Sequence, residues 1–196
     1  MNNKQLIVSH YKKDISWINN VNSNIDIRIY DKGDNNKGFI ELQNIGREPH
    51  TFFHHIIENY NLLHEWTIFS QDEYVDHVKD WVNIINDQST WENRSVYKFN
   101  GAYFFSDRGF LDADRNGAPH HPGLPMISVW ESIYKNAPPE NIRFVPTCHM
   151  ILHKDVILKK PISFYENLKK ILETDNLSPW VMERYMQIIF ERDLEG

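Results

Sequence analysis

Short apolar runs that stop at a polar tip alternate with longer stripes of helical period. This alternation constrains the fold more than any other feature of the chain. Gln5 to Ser9 is one such run, read as a buried strand. Ile25, Ile27 and Ile29 alternate with Asp26 and Arg28, the period of a strand with one face buried. Trp66 to Phe69 repeats the pattern, Tyr97 to Phe105 holds one or two further strands, and Phe144 to Leu152 another. Between them Phe52, Phe53, Ile56, Ile57, Tyr60 and Leu63 form one stripe of a helix over 49–63. Helices are also expected over 14–20, 73–85, 126–134, 161–172 and 179–190, the last with Ser178 as its N-cap.

Strands alternating with helices imply an α/β chain with a central, mostly parallel, twisted sheet covered by helices on both faces. With 196 residues the chain is expected to form one domain around one core. In such a sheet ligands sit beyond the carboxyl ends of the strands. The polar tips Ser9 to Lys13, Tyr30 to Asp34 and Ser70 to Tyr74 should therefore converge. The stretch from Asp107 to Pro125 is rich in Gly and Pro and reads as a long, shaped loop.

The net charge of -6 argues against a nucleic-acid partner, which needs a basic stripe to displace phosphate counterions. Cys148 is the single cysteine, so no intrachain disulfide forms and a reducing compartment is expected. Leu6-Ile7-Val8 is too short an apolar run for a signal peptide or a membrane span, and no later run is long enough either. The expectation is a cytoplasmic protein without a membrane span.

Six stretches, in order along nearly the whole chain, resemble an uncharacterised family found in bacteria, fungi and large viruses. They are Val8 to Tyr11 with Asp14 to Trp17; Ile29 to Gly33; Asn44 to Thr51 running on through His54-His55-Ile56-Ile57-Glu58-Asn59-Tyr60; Phe69 to Gln71 with Asp76-His77; Pro119 to Pro125; and Phe164-Tyr165 with Glu183-Arg184. The opening, one strand ending in His-Tyr and the next in Tyr-Asp-Lys, looks like the start of glycosyltransferases of the A-type fold, an analogy at the level of fold. The resemblance implies a nucleotide-sugar donor, a glycan or glycoprotein acceptor, and a divalent cation, Mn²⁺ or Mg²⁺. One departure stands out. Where A-type enzymes carry an Asp-x-Asp motif, this chain has Ser70-Gln71-Asp72, with one carboxylate.

Sugar transfer from such a donor needs charge neutralisation at the diphosphate, and it uses a base for the acceptor hydroxyl. Asp72 is the candidate metal ligand, against a plain role as cap of the next helix. Gly46 and Arg47 precede a helix N-terminus, where free N–H groups and a guanidinium fork suit phosphate. His10 and Tyr11 end the first strand, with Tyr11 placed to stack on a base. Asp31 and Lys32 end the second, with Asp31 placed for a ribose hydroxyl. Glu183, at the edge of the apolar stripe of the last helix, is the candidate general base. His120 and His121, held between prolines, are alternatives. Asp112-Ala113-Asp114 resembles the opening of a calcium loop, but Gly123 stands where the closing Glu is needed, so an Asx turn is the plainer reading. His149, inside an apolar run, reads as core or acceptor lining. A rival is a His/Asp metal hydrolase, because His50 and His54 share a helix face at ligand spacing. A non-catalytic nucleotide- or glycan-binding domain is the third alternative.

Overall fold

The centre of the molecule is a strand buried on both faces. β1 (Lys4–His10) lies between β2 (Asp26–Asp31) and β4 (Trp66–Gln71), parallel to both, and all seven of its residues are buried. Leu6, Ile7 and Val8 are fully buried, each worth about 1.5–3 kcal/mol relative to exposure. A continuous apolar run is what a parallel strand covered on both sides requires. Successive side chains go to opposite faces. Ile7 joins one hydrophobic cluster, and Leu6 and Val8 join the other.

The structure is a computed structural model and describes residues 2–33, 38–92, 96–97, 103–105, 124–139, 142–144 and 147–192. Its main sheet has the order β3-β2-β1-β4-β8-β5, with β3 (Ile40–Glu41), β5 (Val96–Tyr97) and β8 (Met150–His153) completing it. β3, β2, β1 and β4 run parallel, whereas β8 is antiparallel to β4 and to β5. β6 (Tyr103–Phe105) and β7 (Ile142–Phe144) form a separate antiparallel pair. The chain is thus mixed α/β around a mostly parallel sheet.

One face is covered by α1 (Arg47–Asn59), α3 (Met126–Tyr134), α4 (Lys154–Leu158), α5 (Ile162–Thr174) and α6 (Ser178–Glu191). Phe52, Phe53 and Ile56 of α1 meet Phe69, Tyr165 and Leu168 there. The other face carries a 3₁₀ turn at Ser16–Asn20 and the short α2 (Trp81–Asn86), with Trp66, Trp81 and Trp91 in its core. Among the described residues no helix is long and apolar enough to cross a membrane.

Two expected elements differ. No helix starts at Glu73; turns occupy the segment until α2 begins at Trp81. The Trp17 indole donates to the Asp72 carbonyl (2.8 Å), and the Gln71 amide donates to the Glu73 carbonyl (2.5 Å). Two carbonyls that a first helical turn would use are therefore engaged elsewhere. The run 144–152 is not one strand either. Thr147 Oγ1 takes the His149 backbone N–H (3.1 Å), which removes it from a ladder, and β7 and β8 belong to different sheets.

Candidate functional site

The strand order places a topological switch point between β1 and β4: their outer neighbours lie on opposite sides, and the crevice beyond their carboxyl ends is where such sheets bind ligands. The two tips are tied together there. Asp72 follows β4, and its Oδ2 accepts the Tyr11 backbone N–H (2.6 Å) while its Oδ1 accepts that of Glu73 (2.9 Å). The Asp72 backbone N–H donates back to the Ser9 carbonyl (3.1 Å). Tyr11 is 48 % exposed, with Lys12 Nζ 5.5 Å from its ring centre. Trp17 and Tyr74 meet edge to face at 5.2 Å beside the same tip. The crevice therefore has an aromatic rim.

The second pair of tips is braced internally. His10 is buried; its Nδ1 lies 3.1 Å from Asp31 Oδ1 and its Nε2 3.0 Å from the Lys13 carbonyl oxygen. Asp31 Oδ1 also accepts the Gly33 N–H (2.8 Å). Lys32 is 6 % exposed and donates to the Ile45 carbonyl (2.6 Å) and the Arg47 carbonyl (2.5 Å). Burial pulls its pKa down to about 7, opposed by the nearby Glu48 carboxylate and helped by Arg47. His10, Asp31 and Lys32, expected at a ligand, thus form the wall behind the cleft.

That wall ends at the entrance of α1. Gly46 caps the helix in the left-handed region at φ 63°, and Arg47 follows at φ 51°. Left-handed backbone costs a non-glycine residue about 1–2 kcal/mol, and such strain persists only where surrounding contacts hold it. The Arg47 guanidinium is exposed, lies 5.4 Å from the Trp180 ring centre, and makes a long contact with Glu48 (3.5 Å).

α6 brings Glu183 to the same edge. It is partly buried, and burial raises its pKa above the usual carboxylate range; Arg184 opposes this, Glu48 adds to it, and His77 and Arg47 oppose it. The Cys148 thiol is pushed well up, mainly by burial and further by Glu183 and Glu48. Glu48 and Arg47 thus act on both Glu183 and Cys148, and Arg47 lies over Trp180, one helical turn before Glu183. His149 follows Cys148, its ring 6.4 Å from that of His77 and 5.1 Å from that of Trp81. His149 Nδ1 faces Thr147 Oγ1 at 2.7 Å, and burial lowers its pKa to about 3. It is a neutral core residue.

Other expected groups do not converge. His50 points to Glu173 of α5 (3.2 Å), whereas the His54 ring lies edge-on to Tyr30. Among the described residues no three His, Cys, Asp or Glu side chains are grouped to hold a metal. Asp72 alone, with both oxygens already accepting backbone N–H, is a poor fit to a resident divalent cation. His120, His121 and the Asp112-Ala113-Asp114 stretch lie outside the described residues. Glu48, Trp180 and the Trp17–Tyr74 pair were not singled out from sequence. Glu48 left a signal, an acid in a helix's first turn beside Arg47, and Tyr74 and Trp17 fall in a converging tip and a stretch of the resemblance.

Chemically, the cleft offers an exposed guanidinium, a carboxylate whose pKa burial raises, an exposed imidazole and aromatic faces. That set can bind an anion and move a proton. No curated protein and no solved structure matches the chain. A family model described as "Protein of unknown function (DUF3431)" matches residues 6–195, and on that coverage of strands, helices and cleft alike the chain belongs to this family.

Proposed function

We propose that the protein transfers a sugar from a nucleotide-diphosphate donor to a hydroxyl of a glycan or glycoprotein, within an architecture like that of A-type glycosyltransferases. The observation that carries the reading is that the Arg47 guanidinium, at the start of α1, lies 5.4 Å from the Trp180 ring centre, one helical turn before Glu183 in α6. Arg47 neutralises the departing diphosphate. Glu183, its basicity raised by burial, takes the acceptor proton. Tyr11 stacks on the donor's base, and Trp17 and Tyr74 line the approach. Because Asp72 fits a metal poorly, no step is assigned to a cation. Mn²⁺ and Mg²⁺ enter only as variables of the test.

The test is a set of nucleoside diphosphates and their sugars, each with and without Mn²⁺, read first by melting temperature and then by donor consumption. A diphosphate that binds the native state raises Tm. Glu183→Gln should keep that rise and lower donor consumption about 100-fold or more. Binding without consumption by the wild type would leave a nucleotide-binding domain instead. No rise with any nucleotide would end the proposal.

A further inference from the structure

We propose that Lys32 is a positioning residue: its buried ammonium clamps the left-handed turn at 45–47 and thereby aims Arg47 into the cleft. The inference deepens the anion-binding role given to Arg47 above and rests on that reading. Three observations carry it. The ammonium donates to the carbonyls on both sides of Gly46, at 2.6 Å (Ile45) and 2.5 Å (Arg47). The turn it holds has two successive residues at positive φ, one of which is not glycine. The Arg47 side chain leaves this turn toward Trp180 and the Glu183 edge, while Lys32 itself, 6 % exposed, is walled off from any ligand.

The clamp is charge-dependent. An ammonium makes stronger, charge-assisted hydrogen bonds to carbonyls than a neutral amine does. Burial brings Lys32 down to about 7, so the clamp weakens over the range where most lysines stay charged. The charged and titratable groups near Lys32 are Arg47, Glu48, His50 and His54 from α1, and His10 and Asp31 from the neighbouring strand tips. His50 is held at about 4 and His54 is lowered, both mainly by burial.

Trp180 reports the state of the clamp without any ligand, because Arg47 lies over its ring. The emission difference between wild type and Trp180→Phe is followed from pH 5.5 to 9. A transition near pH 7 is expected, absent in Lys32→Met and Arg47→Met, and retained in Glu183→Gln and His10→Gln. Inorganic pyrophosphate is the binding probe. Lys32→Met should weaken its binding about tenfold or more, to the level of Arg47→Met, with no further loss in the double variant, as for residues acting as a unit. A transition that survives in Lys32→Met, or losses that multiply in the double variant, would overturn the proposal. If Lys32→Met does not fold, Lys32→Gln, which keeps a donor without the charge, must abolish the transition. If the wild type binds no pyrophosphate, the anion role of the cleft fails, and the Trp180 transition still decides whether Lys32 positions Arg47.

Discussion

Gly46 shows how much one residue carries at this site. A Cβ there would stand 2.6 Å from the Cβ of His50 and 3.0 Å from that of Leu172, at a φ of 63°. Gly46→Ala should therefore cost about 2–4 kcal/mol, combining left-handed backbone with a backbone-level clash, measured as a lower urea midpoint at unchanged slope. An unchanged midpoint would mean that the α1–α5 contact is looser than described. The sequence marks Gly46 as a turn before a helix, and that much is legible. What it cannot display is Leu172, a partner from a distant helix that excludes every larger side chain. The same limit explains Lys32. A lysine at a strand tip reads as a ligand group, because nothing nearby in sequence reveals the carbonyls that bury it.

Among elements, the strand tips were readable and the connections less so. The runs at β1, β2 and β4 announce themselves because each must bury apolar side chains, and the α1 stripe does so for the same reason. The segment after β4 has a helical look that fails, since side chains of Trp17 and Gln71 claim its first carbonyls. Asp72 is the hub of that segment, joining the β1 and β4 tips through two backbone N–H groups. Asp72→Ala leaves those donors without their acceptor, at about 1–3 kcal/mol. Amide hydrogen exchange should accelerate at residues 11–13 and 72–77 while the amides of β1 keep their protection. Acceleration throughout the sheet would show that Asp72 supports the whole core and not the crevice alone.

For the molecule as a whole, buried histidines set the response to acid. Burial lowers His50 to about 4, and His55 and His149 to about 3. Unfolded, each would titrate near 6.5. Between about pH 6.5 and those lower values the unfolded chain binds more protons than the native one, so stability rises with pH there and is lost as pH falls. Asp26, Glu65 and Glu173, lowered chiefly by hydrogen bonds from Asn2, Asn3 and Lys169, act in the same direction further down. Glu183, raised by burial, opposes them. Tm should thus fall steadily from pH 6.5 to pH 4, and His55→Gln should flatten the slope by about one proton. A flat profile would show that these rings reach water.

The cleft is assembled from distant parts of the chain, with the parallel strands and Arg47 early in it and Trp180 and Glu183 in α6. During synthesis Arg47 is thus made long before Glu183. Until α5 and α6 follow, part of the apolar flank that α1 begins to cover stays open. A chain stalled before that point exposes apolar surface, so its safe handling depends on whatever shields that flank until translation catches up.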